Sequence, residues 1–77
     1  EQGHAAAQNN LGVMYHKGEG VIQDNVYAHM WYNIAASQGD ENAPENRDIV
    51  AERMTSADIS AAQDLARECV KKNYKSC

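Results

Sequence analysis

Apolar positions recur at helical spacing along most of the chain, and no stretch alternates apolar and polar residues as a half-buried strand does. From about residue 4 to 16, Ala7, Leu11, Met14 and Tyr15 share one face of a first helix, which Gly18 ends. The loop Gly18-Glu19-Gly20-Val21-Ile22-Gln23 supplies two flexible glycines and, in Val21-Ile22, a small apolar plug. Asp24 or Asn25 then caps a second helix, about 24–37, by accepting a backbone N–H bond. That helix carries Tyr27, Ala28, Trp31, Tyr32, Ile34, Ala35 and Ala36, a band wider than a lone amphipathic helix needs, so it should lie sandwiched between neighbours. After the turn Gln38-Gly39-Asp40, Pro44 fits the first turn of a third helix, about 43–54, because its missing N–H has no helical partner there. Val50 and Met54 continue the buried stripe. Thr55-Ser56-Ala57-Asp58 has capping-box spacing, with Asp in place of Glu or Gln, and opens a fourth helix, about 56–73. Ile59, Ala62, Leu65, Ala66, Cys69 and Val70 should face inward, and the fold class is all-α.

An internal repeat underlies this pattern. Gln2-Gly3 recurs as Gln38-Gly39 and Ala7 as Ala43, while Ala28, Trp31, Tyr32 and Ala35 align with Ala62, Leu65, Ala66 and Cys69. Two units follow, residues 1–39 and 40–77, each a helix pair. In the second, Leu11-Gly12 is replaced by Arg47-Asp48 and the Gly-rich loop has shrunk to a tight turn. Such degeneracy is expected of a terminal capping unit, whose outer face must meet water.

Composition narrows the classes further. Seventy-seven residues hold one small domain, which excludes a multidomain enzyme with two lobes around a deep cleft. With no Phe, one Trp, four Tyr and twelve Ala, the core must be built from small side chains on closely approaching helices. The net charge of −4, pI near 5.2 and mean hydropathy of −0.70 argue against nucleic-acid binding and against a membrane span. Charge is uneven: residues 67–77 carry Arg67, Lys71, Lys72 and Lys75 against Glu68, whereas the rest is acidic. A helix C-terminus complementing its own dipole accounts for that tail, with a basic docking patch as the alternative. The opening Glu1-Gln2-Gly3, with neither an initiator Met nor a secretory leader, predicts a processed or excised chain.

Leu11-Gly12-x-x-Tyr15 followed by Ala28-x-x-x-Tyr32 has tetratricopeptide spacing. The longer strings LGVMYHKGEGVIQD and AHMWYNIAASQG resemble the Sel-one-like repeat (SLR), a tetratricopeptide relative, over residues 1 to about 39. Residues 40–73, with MTSADISAAQDLARE, are similar to the divergent helix pair with which bacterial SLR arrays finish. The resemblance implies an α/α superhelix, a solenoid of two antiparallel helix pairs whose first helices line a concave groove. It implies a non-enzymatic, cofactor-free scaffold, the C-terminal part of a bacterial SLR protein that holds a protein or peptide. By the same analogy Asn9, Val13, His16 and Lys17 are the candidate partner-binding residues, since they lie off the Leu11/Tyr15 face. A purely structural capping and solubility module is the alternative, and self-association through an exposed first helix is a further expectation. A cell-envelope hydrolase, an activity attached to some cysteine-rich relatives, is the least favoured reading.

The residues offer little catalytic chemistry. His4, His16 and His29 lie in the first half and both cysteines in the last nine residues, so no thiol–imidazole pair suggests itself. No two His stand three or four apart and no Cys-x-x-Cys occurs, which predicts no metal site. Asp40, Glu41 and Glu45 suit a helix start, and Met14, Met30 and Met54 suit core filling. Cys69 and Cys77 would stand about 12 Å apart in an unbroken helix, beyond the roughly 7 Å a disulfide spans, so bonding requires the helix to end between them. Asn73 tolerates a left-handed cap that would turn Tyr74-Lys75-Ser76 back, and the separation is similar to that in secreted cysteine-rich SLR proteins. A Cys69–Cys77 bond predicts a periplasmic or secreted protein; the alternative is a buried thiol and a free thiol in a cytoplasmic scaffold.

Overall fold

The computed structural model describes residues 2–77, with Gln2 and Gly3 as backbone, so Glu1 of the opening phrase lies outside the described residues. Four helices follow in order: α1 (Gln2–Lys17), α2 (Asn25–Ser37), α3 (Ala43–Ala51) and α4 (Ser56–Lys71), with no strand among the described residues. Each start has a chemical cause. The Asp24 carboxylate accepts the N–H groups of Val26 and Tyr27 at 2.9 and 3.1 Å, so Asp24 is the cap of α2. Asp40 does the same for α3, accepting from Asn42 and Ala43 at 2.9 Å each, with Pro44 in the first turn as expected. Thr55 and Asp58 exchange both bonds of a capping box at α4, so the shorter Asp serves where Glu or Gln is usual.

The ends are also local in origin. α1 stops where Gly18 takes φ 72°, donating to the Met14 carbonyl at 2.7 Å. α3 ends at Ala51 rather than 54, because Glu52, Arg53 and Met54 donate to carbonyls three residues back and tighten the chain out of α geometry. α4 ends at Lys71 rather than 73. Asn73 takes the left-handed conformation with φ 55°, Tyr74 follows with φ 65°, and the Tyr74 N–H returns to the Cys69 carbonyl at 2.8 Å.

Packing is organised around α2, which is the common partner of α1, α3 and α4. One side of it buries Ala28 and Tyr32 with Val50 of α3; the other buries Met30, Trp31 and Ile34 with Ala66 and Cys69 of α4. Tyr15 of α1 packs against both groups, and its ring lies 5.5 Å from that of Tyr27. The sandwiched position expected of the second helix is therefore what its wide apolar band produces. α1 approaches α2 through Gly12, where an added Cβ would sit 2.5 Å from the Tyr32 ring. α3 and α4, by contrast, meet through α2 far more than through each other. α4 packs on α2 through Leu65, Ala66 and Cys69, against Met30, Trp31 and Ile34.

Three expectations about facing change. On α1 the buried residues are Ala5, Gln8 and Gly12, and Ala7 is exposed, because the inward face centres on the glycine that lets Tyr32 approach. Val70 is 46 % exposed, because the buried side of α4 is the one that carries Ala62, Ala66 and Cys69. On the same helix Leu65 packs against the Met30 and Trp31 cluster as expected, and Ile59 is half-buried. Ile22 is 90 % exposed and plugs nothing: the Asp24 N–H donates to the Tyr15 carbonyl at 3.0 Å, which fixes the loop's base and leaves Ile22 at its outer edge.

Candidate functional site

α1 presents three distinct sides, set by its 3.6-residue period. Ala5, Gln8 and Gly12 point toward α2. Asn9, Val13 and His16 lie on the next side round, and His4, Ala7 and Leu11 on the opposite one.

The second of these sides holds three of the four sequence-predicted residues. The Asn9 Oδ1 accepts a bond from Asn46 Nδ2 of α3 at 3.2 Å, joining the two first helices of the units. Val13 packs against the cluster of Ala28, Tyr32 and Val50. His16 Nδ1 stands 3.3 Å from the Tyr32 hydroxyl, with the rings edge to face at 6.2 Å. Burial raises the Tyr32 pKa above its ordinary value, so its hydroxyl stays protonated and donates whenever Nδ1 is the bare nitrogen. Lys17, the fourth residue, stands apart from these on an exposed side of the last turn, where its charge also complements the helix dipole.

Cys69 and Cys77 form a disulfide with Cα atoms 5.7 Å apart, and Cys77 packs against the Trp31 and Cys69 cluster. Both thiols are therefore in a structural bond. Among the described residues no three His, Cys, Asp or Glu side chains gather as metal ligands, and no helix is long and apolar enough to cross a membrane. The basic end of α4 is internally paired, Arg67 with Asp64 and Lys71 with Glu68, all on exposed surface where such pairs contribute little.

Sequence reasoning missed two buried polar side chains. Gln8 is 8 % and His29 4 % exposed, and Gln8 Oε1 and His29 Nδ1 have no hydrogen-bond partner among the described residues. Burial, then the Arg47 charge, lowers the His29 pKa, with Asp48 acting in the opposite direction. Neither residue had a sequence signal, since Gln8 follows three alanines that look alike on every side of a helix.

Against known families, residues 5–40 match the model described as the Sel1 repeat. That segment of the chain is similar to a Sel1 repeat. It takes in α1 from Ala5 onward, the glycine loop, α2 and the turn after it, and the all-α fold agrees with a tetratricopeptide-like helical repeat. No curated protein and no solved structure matches the chain. Sel1 repeats are in general protein–protein interaction modules and typically non-catalytic scaffolds.

Proposed function

We propose that the protein binds a protein or peptide partner across the surface shared by α1 and α3. The Asn9–Asn46 bond carries this reading. It occupies one acceptor of Asn9 and one donor of Asn46, so each amide keeps a further group of the kind that pairs with a peptide backbone. The pair is half-buried on a surface that Val13 and His16 extend along α1, with the Lys17 ammonium near its end available to an acidic group. On this reading the protein is a scaffold with no reaction of its own.

The remaining features fit the end of a longer array. Residues 1–39 serve as the repeat and residues 40–77 as a divergent cap, since α4 turns Ser60, Gln63, Asp64, Arg67 and Glu68 outward to water. The exposed outer side of α1, with Ala6 and Asn10, is where a preceding repeat or a second copy would stack. The disulfide favours an exported protein of an oxidising compartment, periplasmic or secreted.

The test is selection of peptides from a displayed random library by the 77-residue chain. Selected peptides should bind at least about tenfold more weakly to the Asn9→Ala/Lys17→Ala variant, roughly the 1.4 kcal/mol expected of lost polar contacts. Selection of no peptide, or undiminished binding to the variant, overturns the reading.

A further inference from the structure

On the other side of α1 the structure leaves a buried acceptor unused beside an open cleft. The cleft holds about 320 Å³ and is lined by Gln8 with His4, Ala7, Leu11, Trp31, Asn73 and Tyr74. Gln8 is more than nine-tenths buried, and its Oε1 is enclosed with no hydrogen-bond partner among the described residues. An unpaired buried carbonyl opposes folding, so its retention points to a use outside the folding of the chain itself. Rotation about the terminal amide torsion of Gln is broad and nearly two-fold, so the amide can turn its oxygen toward the cleft it already lines.

The far wall is built rather than incidental. Asn73 and Tyr74 both hold positive φ, 55° and 65°, a region that residues other than glycine enter at a cost. Three constraints keep them there: the Tyr74 N–H on the Cys69 carbonyl, the bond from the Gln38 side-chain amide to the Tyr74 hydroxyl, and the Cys69–Cys77 disulfide that closes the tail. Leu11, Ala7 and Trp31 supply apolar surface, and among the described residues no Lys, Arg, Asp or Glu lines the space. A neutral apolar cleft with one unpaired acceptor fits an uncharged apolar group that brings an N–H donor, and it disfavours a charged head group.

We propose that this cleft binds an apolar peptide side chain whose adjoining backbone N–H is donated to Gln8, and that the disulfide-closed tail is required for binding. The inference rests on the protein being a peptide-binding module but uses the side of α1 opposite Asn9 and Val13. The probe is N-acetyl-L-leucinamide, titrated into the 15N-labelled oxidised chain. Saturable shifts are expected at the Trp31 indole N–H and the Gln8 side-chain amide, with binding at least about tenfold tighter than for methyl 4-methylpentanoate, which has the same apolar group and no N–H.

Two variants separate the site from general stability. Tyr74→Ala keeps the disulfide and removes the wall, so it should weaken the probe about as much as reduction and alkylation of the cysteines do. Gln8→Met keeps the shape and removes the unpaired acceptor, so it should raise the melting temperature by about 4 °C while abolishing the preference for the amide probe. The proposal is overturned if Trp31 shows no saturable shift, if Tyr74→Ala binds the probe as the parent does, or if Gln8→Met lowers the melting temperature. Library peptides that bind while the probe leaves Trp31 unmoved would sink this site and spare the α1–α3 reading; shifts at the cleft with no peptide selected would do the reverse.

Discussion

In the first half of the chain, α1 and α2 are held by shape. Gly12 lies directly under the Tyr32 ring, Val13 and Tyr15 pack against the α2 core, and His16 meets the Tyr32 hydroxyl. In the second half, α3 and α4 touch each other little and are attached to α2 one at a time. Their order comes from their ends: Asp40 and Pro44 at the start of α3, the Thr55–Asp58 box at the start of α4, and the disulfide and left-handed tail at its finish. The difference teaches that a repeat can lose the close approach of its two helices and still stay ordered if capping and a covalent closure replace it.

The sharpest way to break that comparison is at Gly12. Gly12→Ala places a Cβ 2.5 Å from a fully buried ring wedged between α1 and α3, and should cost about 3 kcal/mol of unfolding free energy. Gly39→Ala is the control: nothing lies within 4 Å of its added Cβ, and only the φ of +100° is unfavourable, for about 1 kcal/mol. Urea unfolding of the two variants decides. Equal losses would mean that α1 and α2 are not locked by close approach.

The second half should yield to reduction. Closing the eight-residue span from Cys69 to Cys77 restricts the unfolded chain by about 2.5 kcal/mol in the loop-entropy account. Release of the positive-φ residues Asn73, Tyr74 and Ser76 offsets part of this, so reduction should cost about 2 kcal/mol. Hydrogen exchange should show the loss in α4 while α1 and α2 amides keep their protection. Equal acceleration in all four helices would show that the two halves unfold as one.

Smaller effects come from the caps. Asp24→Ala and Thr55→Ala each remove a side-chain acceptor at a helix start and should each cost about 1 kcal/mol. If the halves differ as described, Asp24→Ala should leave α4 protected, whereas Thr55→Ala should loosen α4 first. Melting temperature and amide exchange of both variants provide the check.

These features differ in how far the sequence announces them. Caps, turns and the disulfide are legible because they depend on residue type at short separations, as with Thr55-x-x-Asp58, Pro44 or Asn73 before Cys77. The way α4 sits on α2 is not, since apolar spacing says which side of a helix is inward and nothing about the angle at which it lies. Val70 reads as inward for that reason. The inward side of α1 is obscured by Ala5, Ala6 and Ala7, which carry no directional signal, so nothing in the sequence marks Gln8 as buried. Asn9 and Val13 read as lying off the core face, yet Val13 packs beside Tyr15 on the Val50 cluster and Asn9 pairs with Asn46, contacts that depend on where α3 lands, which no local pattern encodes.

His29 tests the seam between the halves. It is buried on α2, its Nδ1 has no partner, and the charges that act on it are Arg47 and Asp48 of α3. Burial and then Arg47 lower its pKa from the ordinary 6.5, so on acidification the unfolded chain takes up this proton first. Below that pH the unfolded state binds more protons than the folded one, and stability must fall as pH drops, until the folded imidazole also titrates. His29→Gln, neutral throughout, should therefore show a smaller fall in urea midpoint between about pH 7.5 and 5.5 than the parent chain. The parent's excess loss should appear as faster exchange in α3, because the nearest added repulsion is between the imidazolium and Arg47. An identical pH slope in parent and variant would place the responsible proton elsewhere and remove His29 from the coupling of the two halves.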